Sequence, residues 1–388
     1  MIYADNASTT KLSDKALHAM LTFLKEDYGN ASNSYSFGVK SMRAVNKARS
    51  GIAAILNANT DEIFFTSGGS ESNSWVLSAI DSGHIITTAS EHHSVLNACR
   101  ALEKRGVRVT YLPVNSSGVV SVDDVQNSLC DDTKLVSILL ANNEIGTIQP
   151  IPAIGKMLRS KKILFHTDAV QAVGHIPVDV QALGVDFLSA SAHKFNGPKG
   201  TGLLYKREGI KLPPLIFGGK QEFGLRGGTE NVAGIIGFHA ALDESNELME
   251  DESIKTRDLV ATTFLHISQA IPKVILHGET SDKLPGIMNV AIPEVSGEAI
   301  MNILDLKGIC VSTGSACTSG QNTPSHVLKA INLTDEQALS SIRISFGRYN
   351  TEQDAITIGD EIVSAYQKIT GAKSEAKTIL AGGKRNDR

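Results

Sequence analysis

Between residues 63 and 205 the chain alternates short apolar, β-branched runs with stretches of helical spacing. The runs fall at 63–66, 84–87, 107–110, 135–140, 163–166, 187–190 and 202–205. Between them lie patterns such as 94–105, where Leu96, Cys99 and Leu102 recur on one helical face. Such alternation predicts an α/β layer built on a mostly parallel sheet. Ligands of these sheets gather at the carboxyl ends of the strands. Chemistry-bearing residues stand there: Ser70 after the first run, His92 after the second, Asn143 after the fourth, Asp168 after the fifth and Lys194 after the sixth. Beyond about residue 246 the texture changes. A charged helical stretch at 243–259 leads into a mixed segment with Pro272, Pro285 and Pro293, which predicts a second, smaller α+β domain.

Composition narrows the class. Of the 388 residues, 41% are hydrophobic and 20% charged, the balance of a globular chain with ample core. A net charge of −4 gives no electrostatic footprint for nucleic acid. No apolar run is long enough to span a bilayer, and Met1-Ile2-Tyr3-Ala4-Asp5-Asn6 lacks the pattern of a signal peptide. A cytoplasmic protein without membrane contact is expected. The four cysteines, Cys99, Cys130, Cys310 and Cys317, form no CxxC pair and suggest reduced thiols, not a zinc site or disulfide framework.

Five segments carry the candidate chemistry. In Ser189-Ala190-Ser191-Ala192-His193-Lys194-Phe195-Asn196-Gly197-Pro198, a strand runs into a lysine and a Gly-Pro turn. A desolvated lysine there can lose its proton and act as a Schiff-base amine, although a lone loop lysine is usually just solvated. Asp168, in His166-Thr167-Asp168-Ala169-Val170-Gln171, ends an apolar strand, where an unpaired carboxylate is costly. It reads equally as a helix cap or as the partner of a pyridinium nitrogen. Thr66-Ser67-Gly68-Gly69-Ser70-Glu71-Ser72-Asn73 opens a helix with free N–H groups suited to a phosphate, with Ser70, Ser191 and His193 as further donors. It is not the GxGxxG pattern of dinucleotide folds. His92, in Ala89-Ser90-Glu91-His92-His93-Ser94, can stack on a flat ring and move protons, or be an ordinary loop histidine. No metal site is expected from the adjacent histidines. Cys317 lies among small polar residues in Ser312-Thr313-Gly314-Ser315-Ala316-Cys317-Thr318-Ser319-Gly320, the setting of an accessible thiol. Cys310 and Cys99 read as core residues, and Cys130 has no assigned role.

Together these segments resemble the NifS/IscS-type cysteine desulfurases, a class-V aminotransferase branch of the fold-type I pyridoxal-phosphate enzymes. The resemblance runs from Asp5-Asn6-Ala7-Ser8-Thr9-Thr10 to Ser341-Ile342-Arg343-Ile344-Ser345-Phe346-Gly347 and includes Asn142-Asn143-Glu144-Ile145-Gly146. It implies a seven-stranded cofactor domain at 16–246, a small α+β domain from 1–15 and 247–371 that carries the cysteine loop, and a flexible tail at 372–388. Lys194 would hold pyridoxal phosphate and move the substrate α-proton. Asp168 would face the pyridine nitrogen, Gln171 the ring hydroxyl and His92 the ring face. Gly69, Ser70, Ser191 and His193 would hold the phosphate, joined by Thr229 of a second protomer, which implies a homodimer. Asn143 and Arg343 would meet the carboxylate of L-cysteine. Cys317 would receive sulfur as a persulfide and pass it to an iron–sulfur scaffold or a tRNA-thiolating enzyme. Departures from the family pattern fall at Ala31, Tyr35, Phe223 and Gly227, and the tail does not resemble the extension used to dock scaffolds. A selenocysteine lyase or other β-eliminating enzyme is the nearest alternative.

Overall fold

The structure is a computed structural model that describes residues 1–280, 282–313 and 323–382, with side chains up to residue 371. Cys317 lies outside the described residues. A short strand β1 (Ile2–Tyr3) comes first. The central sheet follows: β2 (Ile63–Thr66), β3 (His84–Thr88), β4 (Arg108–Leu112), β5 (Thr133–Ser137), β6 (Leu164–Asp168), β7 (Phe187–Ser191) and β8 (Gly202–Lys206). Each of the seven apolar runs becomes one of these strands, displaced by a few residues at most.

The sheet order is β2-β8-β7-β6-β5-β3-β4. Strands β7, β6, β5, β3 and β4 pair in parallel, and β8 runs antiparallel to both of its neighbours. Thus only β8 is reversed. Strands β2, β3 and β7 are buried at every position because helices cover both faces, which is why they read as apolar runs and not as alternating patterns. One face packs Phe165, Leu188, Phe195 and Phe238, and the other packs Phe64, Trp75 and Phe187. Cys99 is fully buried in the second cluster, as its helical spacing predicts.

The chain winds to one side of the sheet from β3 to β4 and to the other from β5 to β7, so the order reverses beside β3. The crevice at such a reversal opens at the strands' carboxyl ends.

The remaining strands are β9 (Ile275–Leu276), β10 (Ile287–Ala291), β11 (Ile309–Cys310) and β12 (Ser341–Ser345). They form an antiparallel sheet β12-β10-β9 and a parallel pair β1-β11 over a separate core of Leu259, Met288, Ile344 and Ile358. The helical stretch expected at 243–259 belongs to a longer helix, Val232–Ala270. It places Phe238 and Leu242 in the main core and Leu259 and Ile267 in the smaller one. The expected division at 246 therefore falls inside a continuous helix. Cys310 is only half-buried, at the edge of the smaller core. The terminal helix Glu352–Gly382 continues past residue 371, into the segment expected as a flexible tail. Its segment Glu375-Ala376-Lys377 consists of strong helix formers, so local propensity favours the helix there.

Gly202 opens β8 opposite Thr66, and a Cβ there would meet Gly68 Cα at 2.4 Å. Two backbones meet with no room for a side chain. Gly202→Ala should therefore destabilise the fold by about 1–3 kcal/mol, read as a lower urea midpoint. Gly371, on the terminal helix with open space around it, supplies the contrast. Alanine there should be neutral or stabilising by up to about 1 kcal/mol. Equal midpoints for wild type and Gly202→Ala would show that β8 and the Gly68 turn can separate freely.

Candidate active site

Five strand ends deliver side chains to one cavity of about 320 Å³. After β2 the turn Gly68-Gly69-Ser70 enters helix Gly69–Ser78, and Gly68 provides no side-chain cap. The first N–H groups of that helix are therefore left for a ligand or solvent. Gly69, Ser70, Ser191 and His193 form this end of the cavity. A Cβ on Gly69 would meet Val170 Cγ2 at 2.5 Å, so only glycine leaves the cradle open.

His92 follows β3 and lies at the start of helix His93–Glu103. Asn143 follows β5, Asp168 ends β6 and Lys194 follows β7. Asp168 is 6% exposed. Its Oδ1 accepts the Val170 N–H at 3.0 Å and its Oδ2 accepts Asn73 Nδ2 at 2.6 Å. It therefore caps the turn after β6 and still borders the cavity.

Lys194 Nζ donates to the Ala7 and Ser8 carbonyls at 2.6 and 2.8 Å. Gln171 Nε2 donates to the Ala7 carbonyl at 2.8 Å. Arg343 reaches the cavity from β12. Its Nη2 donates to Asp5 Oδ1 and Ser8 Oγ, each at 2.7 Å, and its Nη1 to the Asn143 carbonyl at 3.0 Å. A guanidinium has five N–H donors, and the buried Nε is without a partner among the described residues. Thr229 is exposed and does not line this cavity.

The donor set fits pyridoxal phosphate. A glycine-lined cup with free amide and hydroxyl donors suits a dianionic phosphate. A buried carboxylate lining the same cavity suits a ring nitrogen, and a lysine lining it suits a carbonyl carbon. His193 is pushed down to about 4 by burial, with Lys194 and Lys199 adding to the effect. It meets the cup as a neutral ring, its Nδ1 3.1 Å from Thr9 Oγ1. His92 is also lowered, by desolvation first. It is an exposed residue that lines the cavity.

Several groups of the site were not singled out from sequence. Asn73 is fully buried and bridges Asp168 to Ser94. Glu91 is fully buried, its Oε1 accepting from Thr88 Oγ1 and the Leu139 N–H at 2.8 and 2.9 Å. Burial raises its pKa to about 8. Glu144 borders the cavity, raised to about 7 by burial, and its Oε2 accepts from Ser325 Oγ at 2.5 Å. All three stand inside the quoted motifs. Their residue type alone looks like solvated polarity, and only the tertiary packing shows which way each side chain turns.

The cavity, its lysine and its carboxylate define a fold-type I enzyme that uses pyridoxal phosphate. Comparison with known proteins agrees. The model of the family "Aminotransferase class-V" matches residues 2–357. The cysteine desulfurase IscS of Clostridium botulinum is 46% identical over 386 residues, spanning 97% of this chain and 96% of its own. That of Methanosarcina thermophila is 45% identical over 377 residues, spanning 95% and 92%. Among solved structures, a NifS-like protein superposes with a TM-score of 0.88 at 36% identity, covering 95% of this chain and 99% of its own. SspA in complex with cysteine superposes at 0.81 and 35% identity, covering 90% and 100%. The chain belongs to the class-V aminotransferase family, among its cysteine desulfurases of the NifS/IscS type.

The raised pKa of Glu91 makes a pH test. The folded state keeps this carboxyl protonated up to about 8, whereas the unfolded chain releases the proton near 4.5. Between those values the folded state binds more protons, so Glu91 lowers stability progressively as pH rises. Glu91→Gln removes that penalty and keeps the acceptor oxygen. Its stability relative to wild type should climb by up to about 1.4 kcal/mol per pH unit across this window and level off above it. Urea unfolding at several pH values checks this, and a pH-independent difference would show Glu91 to be ionised in the fold.

Proposed function

We propose that the protein converts L-cysteine to L-alanine and carries the removed sulfur as a persulfide on Cys317. The convergence of Lys194, Asp168, His92 and Arg343 on one cavity is the observation that supports this reading most. When bound, pyridoxal phosphate supplies an electron sink for the bond changes at the substrate Cα and Cβ.

The chain's own residues supply the rest. Lys194 holds the cofactor and moves the α-proton. Asp168 would meet the pyridine nitrogen, and Gln171 would meet the ring hydroxyl. Gly69, Ser70, Ser191 and His193 receive the phosphate. Asn143 and Arg343 orient the substrate carboxylate, Arg343 being itself aimed by Asp5 and Ser8. The Cys317 thiolate attacks the substrate sulfur, the Cβ–S bond breaks and Cβ takes up a proton. Cysteine and a thiol thus become alanine and a persulfide, with no outside oxidant.

The working unit is a homodimer in this reading, with Thr229 completing the partner's phosphate cup. Tyr28, Tyr35, Phe37 and Phe223 are all exposed, and Gln221 and Glu230 contact Ser32 between them, which supports a shared apolar face. Residues 16–246 form the cofactor domain, and residues 1–15 with 247–371 form the domain that carries Cys317. The acceptor is a protein that takes persulfide sulfur, an iron–sulfur scaffold or a tRNA-thiolating enzyme.

Purified protein loaded with pyridoxal phosphate should release alanine and sulfide in equal amounts from L-cysteine under reductant. Cys317→Ala should lose both, and Lys194→Ala should lower the rate by about 10²- to 10⁴-fold. Pyruvate and ammonia in place of alanine, undiminished in Cys317→Ala, would instead establish β-elimination.

A further inference from the structure

His92 lies at the cavity edge, and its Nδ1 is engaged. It sits 2.8 Å from Ser94 Oγ and accepts the Ser94 N–H at 3.2 Å. The direction of the first contact follows from the next residue along. Asn73 Nδ2 is 2.6 Å from Asp168 Oδ2 and 2.8 Å from Ser94 Oγ. A carboxylate only accepts, so the Asn73 amide must turn its NH₂ toward Asp168, and the second hydrogen of that NH₂ goes to Ser94. Ser94 Oγ is therefore an acceptor toward Asn73, and its single proton is left for His92 Nδ1. The buried Asn73 Oδ1 finds no partner among the described residues. Asn73 is thus held for its two N–H groups at the expense of its oxygen.

Nδ1 consequently faces two donors, the N–H and O–H of Ser94. It also stands at the positive end of helix His93–Glu103, where added positive charge is disfavoured. The ring proton belongs on Nε2, across the ring from Ser94, where no described residue takes it. The charged and titratable groups around the ring are Asp168 at the end of β6, Lys194 beyond β7, His93 on the same helix and His326 on helix His326–Ala330. Among these, Asp168 favours a charged ring, whereas burial, Lys194 and His93 oppose it, with burial the largest cause.

We propose that Asn73 and Ser94 are positioning residues that hold His92 as a neutral imidazole with its proton on Nε2. His92 then serves the cavity as a fixed hydrogen-bond donor and ring surface and exchanges no proton with the substrate. At Nε2 the neutral ring has no lone pair to take a proton, and giving one up would leave an imidazolate. A histidine at a helix N-terminus can be kept neutral in the same way to polarise a bound group. Proton movement at the substrate is then left to Lys194. What the Nε2–H meets rests on the desulfurase reading, but the tautomer is a property of this chain alone.

Nitrogen NMR of ¹⁵N-histidine-labelled protein, with and without pyridoxal phosphate, reads the tautomer directly. The His92 signals are assigned by their loss in His92→Gln. Wild type should show the Nε2–H form from about pH 6 to about pH 8, where a free histidine titrates. Ser94→Ala should mix the tautomers and take up a proton in that range, Ser94→Thr should restore the wild-type spectrum, and Asn73→Ala should give a partial mixture. In the loaded enzyme, kcat of Ser94→Ala should fall by about 10- to 100-fold and gain a pH inflection absent from wild type and Ser94→Thr. An imidazolium or Nδ1–H form in wild type, or an unchanged spectrum in Ser94→Ala, overturns the inference. Failure to make alanine while His92 keeps the Nε2–H form removes the desulfurase reading and leaves this one standing.

Discussion

A buried carboxylate at the end of a central strand governs how the surrounding segments are placed. Asp168 is too enclosed to be left to solvent, and an unpaired charge at that depth costs several kcal/mol. Its partners must come from outside its own strand. The Val170 N–H is available because the chain turns immediately after β6, and Asn73 is available because the helix after β2 starts close by. That helix can start there only because Gly68 and Gly202 let two backbones touch. The turn that brings Asn73 to the carboxylate also opens the cup for phosphate, so neutralising one end of the cofactor site builds the other.

The polarity of this contact also propagates. An amide fixed by a carboxylate fixes a hydroxyl, which in turn fixes an imidazole nitrogen. Each link has few donors and acceptors, so none can reverse without breaking its neighbour. Glu91, one residue before His92 in the chain, is a neutral carboxyl at neutral pH. Burial here decides protonation states as much as it decides packing.

Much of this was legible in the sequence, for a physical reason. Strands buried on both faces are mostly apolar, so the runs at 63–66 and 187–190 announced β2 and β7, and the residues after them announced the cavity. Cys99 showed its burial through helical spacing. What periodicity does not carry is the direction of a polar side chain: Asn73, Glu91 and Glu144 sit among serines, glycines and asparagines and turn inward only because other strands meet them there. Helix ends were equally opaque. The helix at 232–270 passes from one core to the other without a breaker, and the terminal helix continues through a polar segment with good helix formers. Thr229 is exposed and is not among the residues that line the cavity of its own chain.

The first ten residues join three structures at once. Ile2 and Tyr3 pair with β11, Asp5 and Ser8 grip Arg343, and the carbonyls of Ala7 and Ser8 receive Lys194. Thr10 then bonds the His193 carbonyl. The amino-terminal segment is therefore wall, clamp and strut of the site together. Anything that displaces it, whether a proteolytic cut, a bulky fusion or a ligand that pulls Arg343 aside, is transmitted to the lysine through peptide bonds alone.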